Sequence, residues 1–133
     1  MKLVFADSFY FLALYNPRDS AHDRAIEAAS SFKGTLVTTD WVLAELADAL
    51  SDPINRKGCI ELINDLRKST HIEIESATRE SFDAGWALYQ QRHDKDWSLT
   101  DCISFVVMKN REVSEALTGD HHFSQAGFRV LLA

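Results

Sequence analysis

A chain of 133 residues, 46% apolar and 26% charged, has the size and make-up of one globular domain with its own core, residues 1–133. With only 5 Gly and 2 Pro it excludes long flexible linkers, and it contains no low-complexity tract or internal repeat. A net charge of −6 excludes a protein that holds nucleic acid by charge alone; one acting on nucleic acid needs metal ions or a local basic patch, with Arg18, Arg56, Lys57, Arg92 and Lys95 as candidates.

The opening KLVFA, residues 2–6, is a continuous apolar run and predicts a strand buried on both faces. SFYFLALY (8–15) predicts a short helix and NPRD (16–19) a turn. The lysine and apolar run of this segment mimic a signal peptide. Asp7 interrupts the run, no A-x-A cleavage site follows, and the run is too short to cross a bilayer, so the expectation is a cytoplasmic protein without a membrane segment. Residues 20–32 carry Ala25, Ala28, Ala29 and Phe32 at helical spacing, with Ser20 and Asp23 as a capping box. TLVTT (35–39) is the second strand. A helix over 40–50 follows, with Asp40 as N-cap and Pro53 just beyond its end. Another helix covers 55–69.

HIEIE (71–75) alternates like a half-buried strand. The helix over 78–93 stacks Phe82, Trp86 and Tyr89 along one face. The helix over 98–111 is apolar almost all round, which places it in the interior. EALT (115–118) and RVLL (129–132) close the set as strands. Strands alternating with helices predict a parallel sheet in an α/β fold, with the active site beyond the carboxyl ends of the strands. Cys59 and Cys102 lack metal-binding spacing and read as free thiols in a reducing compartment.

Four acids stand out. Asp7 follows the first strand directly, and Asp120 follows the EALT strand after Gly119, which puts both at one edge of the sheet. Asp7 also reads as an N-cap for the next helix. Asp101 lies on a narrow polar stripe with Thr100 and Ser104, and Ser98-x-x-Asp101 is equally a capping box. Glu45 sits beyond the capping turn of its helix, one turn after Trp41, and solvent exposure is its plain alternative. Clustered carboxylates repel one another unless a cation intervenes, and all-oxygen donors suit Mg²⁺ or Mn²⁺. Asp40, Asp48, Asp94 and Asp96 read as caps or surface charges.

VFADSFYFLALYNPRDSAH, TTDWVLAELADAL, WSLTDCISFVVM and EALTGDHHFSQAGFRVL occur in order along the chain. Together they resemble the PIN-domain ribonucleases, in particular the VapC-type toxins of toxin–antitoxin pairs, over essentially the whole chain. The resemblance carries over to Asp7 and Ser8, Glu45, Asp101, and Thr118, Asp120 and Phe123; Phe9 departs from it, where many relatives carry a small polar residue. It implies a three-layer α/β/α sandwich with a central parallel five-stranded sheet, and Mg²⁺- or Mn²⁺-dependent hydrolysis of RNA. Asp7 and Asp101 would be the core metal ligands, with Asp120 and Glu45 ligating directly or through water. Ser8 and Thr118 would orient carboxylates or waters. A water would attack phosphorus in line and the 3′ oxygen would leave. The implied partners are an RNA substrate, a small antitoxin that blocks the pocket and, as in many relatives, a second copy of the chain.

The alternatives within the resemblance are a PIN ribonuclease of RNA processing and a catalytically silent PIN-like RNA- or protein-binding module. Outside it stand a metal-independent ribonuclease using His121, His122 or His93, and a receiver-like module. Adjacent histidines rarely point the same way in regular structure, which argues against the histidine mechanism, and His121 and His122 read as rim residues. A receiver expects an acidic pair after the first strand and a lysine after a late one, and the chain has neither.

Overall fold

The computed structural model describes residues 2–133; Met1, the first residue of the expected domain, lies outside the described residues. Five strands and seven helices alternate among the described residues: β1 (Leu3–Ala6), α1 (Ser8–Tyr15), α2 (His22–Ser31), β2 (Thr35–Thr39), α3 (Asp40–Ala49), α4 (Pro53–Lys68), β3 (Ile72–Glu75), α5 (Arg79–Gln91), α6 (Leu99–Asn110), β4 (Glu115–Leu117), α7 (His121–Gln125) and β5 (Arg129–Val130). The strands form one parallel sheet in the order β3-β2-β1-β4-β5. Val37, Phe5 and Ala116 share one level across its three central strands.

That order fixes where a site belongs. The chain steps from β1 outward to β2 and β3, then returns to place β4 on the other side of β1. Right-handed crossovers then put α1 to α4 on one face and α5 to α7 on the other, an α/β/α sandwich. The reversal falls between β1 and β4, and a crevice opens there at the carboxyl ends.

Burial follows the sequence pattern. Val4, Phe5 and Ala6 are fully buried, because β1 is central and covered on both faces. The edge strand β3 keeps Glu73 exposed and Ile72 and Ile74 half-buried. Helix α6 buries seven of its twelve residues. Gly85 lets α5 close on it, since a Cβ there would run into Ile103. Phe105 of α6 packs edge-on against Phe123 (4.9 Å) and Trp97 (5.0 Å), and fully buried Phe123 ties α7 to β1 through Phe5. Both cysteines are buried free thiols. No described helix is long and apolar enough to cross a membrane.

Several local expectations need correction. Thr39, not Asp40, caps α3: its hydroxyl accepts the Val42 N–H, and the Asp40 carboxylate instead accepts the Ala77 N–H ahead of α5. Helix α2 starts at His22, without the Ser20–Asp23 box; the Asp19 carboxylate turns the chain by accepting the Ala21 N–H. Pro53 does not merely follow a helix but opens α4, where its missing N–H costs nothing. Strand β5 is shorter than predicted.

Candidate active site

Four segments deliver carboxylates to the crevice. Asp7 leaves β1 at the N-cap position of α1, yet its side chain makes no capping hydrogen bond. Its carboxylate instead accepts the Thr118 hydroxyl at 3.1 Å, from the chain just beyond β4. The same Thr118 oxygen accepts the Asp120 N–H at 3.1 Å, so one buried hydroxyl spans both strand ends. Gly119 lies between them, and any Cβ there would collide with the Phe9 ring. Phe9, where the chain departs from many relatives, thus packs over Gly119, and a larger residue there would have to displace its ring.

Glu45 reaches in from α3. It is half-buried, and its Oε1 accepts the Ser8 hydroxyl at 2.5 Å. Asp101 descends from the first turn of α6. The capping box and the buried-acid reading both hold: Ser98 Oγ accepts the Asp101 N–H at 3.0 Å, and Asp101 Oδ2 accepts the Ser98 N–H at 3.2 Å, while the carboxylate is buried. One helical turn further along α6, Ser104 Oγ is, among the described residues, the one buried side-chain polar atom without a hydrogen-bond partner.

Asp120 caps α7, its Oδ1 accepting the His122 N–H at 2.9 Å. This five-residue helix was not anticipated, and it corrects the reading of the two histidines as a pair on the rim. His121 does face solvent. His122 turns inward, with Nδ1 3.0 Å from Asp101 Oδ2 and 3.4 Å from Asp120 Oδ1. The available signal was Asp120 as an N-cap with Phe123 three residues on, a single helical turn that sets His121 and His122 about 100° apart.

The electrostatics are those of unscreened acids. Burial first, then Glu45 and Asp101, push Asp7 up to about 7, against the Ser8 amide and the Thr118 hydroxyl. Burial, with Asp101, Asp120 and Asp48 nearby, raises Glu45 despite the Ser8 bond. Burial and Asp120 raise Asp101, although the Ser98 amide and His122 favour its charged form. Among the described residues, no Lys or Arg forms an ion pair with any of the four. Of the basic residues considered for a nucleic-acid patch, Arg92 is engaged with Asp94 and the Trp97 ring, and Arg56 bonds the Ser51 carbonyl. Arg18 and Lys57 are exposed.

A donor set of carboxylates with no protein cation, beside an orphaned buried hydroxyl, fits a hard divalent ion. Such a site could activate water and clamp a phosphoryl group.

Comparison with known proteins points the same way. A family model described as PIN domain matches residues 4–129. The chain is 26% identical over 126 residues to the 23S rRNA-specific endonuclease VapC20 of Mycobacterium tuberculosis, covering 95% of each. The crystal structure of VapC20, titled a sarcin–ricin loop cleaving toxin, superposes with a TM-score of 0.87 over 94% of this chain and 95% of that one. Two more distant structures share the fold: FitAcB from Neisseria gonorrhoeae (TM-score 0.66, 18% identity, 96% of each chain) and promoter-DNA-bound VapBC2 from Rickettsia felis (0.67, 11%, 96% of each).

Proposed function

We propose that this chain, which belongs to the PIN-domain family, is a divalent-metal-dependent endoribonuclease acting in the cytoplasm as the toxin of a toxin–antitoxin pair. The observation that carries the reading is the meeting of Asp7, Glu45, Asp101 and Asp120 at the β1–β4 reversal, with no Lys or Arg paired to them among the described residues. Structural acids that a fold buries are normally matched by cations or several donors. Here the compensation is partial, and Asp7 and Glu45 stay protonated more readily than ordinary carboxylates.

Asp7 and Asp101, the two most buried of the four, would hold an Mg²⁺ or Mn²⁺ ion, with Glu45 and Asp120 ligating directly or through water. Such an ion supplies charge neutralisation at the phosphodiester and an acidified water. The protein's own part is to hold the donors ready. Ser8 fixes Glu45, Thr118 links Asp7 to the Asp120 backbone, and the Ser98 amide holds Asp101. It also explains how a chain of charge −6 acts on a polyanion.

The likeness to VapC20 over 95% of both chains makes ribosomal RNA the first substrate to test and a small antitoxin the expected partner. The experiment incubates purified protein with intact ribosomes and total RNA, in Mg²⁺, Mn²⁺ or excess EDTA, and maps the new RNA ends. Cuts at defined positions are expected with metal, and none in EDTA or with Asp7→Asn. Equal cleavage in EDTA, as a His121, His122 or His93 mechanism requires, overturns the reading.

A further inference from the structure

Phe9 stands where the two strand-end segments meet. It lies two residues after Asp7 in the first turn of α1, and its ring covers Gly119, which separates Thr118 from Asp120. We propose that this ring is a stacking platform for one nucleobase of the RNA, on a nucleotide that flanks the scissile phosphate. This deepens the ribonuclease reading and rests on it.

The ring is backed but not enclosed. A Cβ built on Gly119 would lie 2.6 Å from the Phe9 Cζ and 3.0 and 3.1 Å from its Cε1 and Cε2. A point so nearly equidistant from the two Cε atoms, and so little farther from them than from Cζ, lies over the ring face near its tip rather than beyond its edge. Gly119 therefore supports one face. The neighbours Ser8, Tyr10 and Phe11 are buried, whereas Phe9 is only half-buried, so part of its side chain still meets solvent beside Asp7.

The other aromatic side chains close to the acids in sequence are already occupied. Phe5 and Phe123 are fully buried and pack on each other, and Tyr10 is buried against Phe11. Trp41, one turn before Glu45, lies against Phe82 at 5.8 Å and donates its indole N–H to Ser81. Among the described residues no aromatic ring packs on Phe9.

Chemistry supplies the occupant. An RNA backbone held at the crevice carries its two flanking nucleosides past the segments that bear Asp7 and Asp120, and Phe9 touches both segments. The acids give a base little to hold. Stacking on a ring suits every base and does not depend on charge, so it adds grip in a chain of charge −6. A base must leave its own stack to reach the ring, which favours unpaired nucleotides. A ring fixed by Gly119 before the RNA arrives loses little freedom on binding.

The test pairs a protein change with an RNA change. A short RNA spanning a mapped cut is made intact and with an abasic nucleotide on either side of that cut, and steady-state cleavage compares wild type, Phe9→Leu and Phe9→Tyr. On intact RNA, Phe9→Leu should raise KM about tenfold with kcat within about threefold, and Phe9→Tyr should keep KM within about threefold of wild type. At one of the two positions the abasic RNA should raise the wild-type KM about tenfold but that of Phe9→Leu by less than about twofold, because the partner ring is already gone. A merely structural Phe9 would give penalties that multiply. Photocrosslinking of iodouridine at the same two positions to the Asp101→Asn protein should label the peptide that contains Phe9, a readout that does not need Phe9→Leu to fold well. Independent penalties at both positions, an unchanged KM in Phe9→Leu, or crosslinks that miss Phe9 overturn the proposal. RNA left uncut by wild type with metal overturns the ribonuclease reading as well, whereas normal cutting with independent penalties overturns this inference alone.

Discussion

Glu73 and Glu75 on β3, and Asp7, Glu45 and Asp101 at the β1–β4 crevice, are both acids drawn together by the same sheet. At β3 the Arg111 guanidinium bridges the pair, bonding Glu75 at 2.9 Å and also Glu73, and the two carboxylates hold that guanidinium charged. Glu115, at the start of β4, is likewise flanked by Lys2 (2.8 Å) and Arg129 (3.2 Å), and Lys2 holds it below the usual range. In the crevice every resolved shift runs upward, led by burial. At β3 and at the start of β4 the acids are matched by Arg or Lys, whereas among the described residues those where β1 and β4 diverge have no Lys or Arg paired to them. The sign of the local imbalance separates the two groups better than the number of acids does.

The largest expected effect comes from removing one of the uncompensated charges. Asp7→Asn or Asp101→Asn should lower RNA cleavage by on the order of 100- to 1000-fold. In EDTA the Asp7→Asn protein should unfold at higher urea, more stable by about 1–3 kcal/mol at pH 8, because a repelled and desolvated charge is gone. Cleavage assays and urea titrations on the same samples check both halves. A variant that cuts RNA as well as wild type would remove Asp7 from the site, and one less stable in EDTA would show the carboxylate to be structural after all.

The same imbalance sets the pH dependence. Asp7 titrates near 7 in the folded chain, against an unfolded value of 3.8. The folded state therefore binds more protons than the unfolded state between those values, and stability falls as pH rises through that window. Above pH 7 the destabilisation is complete; below about pH 4 it is absent. Metal-free protein should thus be more resistant to urea at pH 5.5 than at pH 8. Millimolar Mn²⁺ should raise the melting temperature at pH 8 by linkage and have a smaller effect at pH 5.5, where protons compete for the site. A melting temperature at pH 8 that ignores Mn²⁺ would count against a metal pocket.

A smaller effect belongs to the residue that aims Glu45. Ser8→Ala removes the hydroxyl that Glu45 accepts, and cleavage should drop roughly three- to tenfold with the fold intact. Ser8→Thr should recover most of it. Unchanged rates in the alanine variant would mean that Glu45 is positioned by its helix alone.

Much of this was readable in the chain. The apolar run at 2–6 and the EALT stretch at 115–118 mark strands, and an acid just past each strand end falls at the crevice in any parallel sheet of this order. The buried helix α6 was legible because apolar residues cover nearly its whole circumference. What the sequence hid lies where several residues compete for one job. Thr39 and Asp40 are both good caps, and only the position of Ala77, brought near by α5, decides that Asp40 is needed elsewhere. Pro53 is compatible with ending one helix or starting the next. Helix α7 is too short for periodicity to register, and with it went the inward face of His122. Such choices are settled by contacts distant in sequence, which local pattern does not carry.

The smallest effect is the most direct check on the contrast with β3. Arg111→Met removes the cation from Glu73 and Glu75 while keeping an apolar stem of similar length. Glu73 is exposed and Glu75 partly so, with side chains 52% and 39% accessible, so water takes over much of the screening. The cost should stay below about 1 kcal/mol, and at 1 M salt it should shrink further. RNA cleavage should not change, because Arg111 pairs with β3 and not with the crevice acids. Salt-dependent urea titrations and the cleavage assay measure the two expectations together. A loss of several kcal/mol would mean that Arg111 holds β3 to α6 by more than screened charge, and a loss of cleavage would extend the working surface from the β1–β4 crevice to the far edge of the sheet.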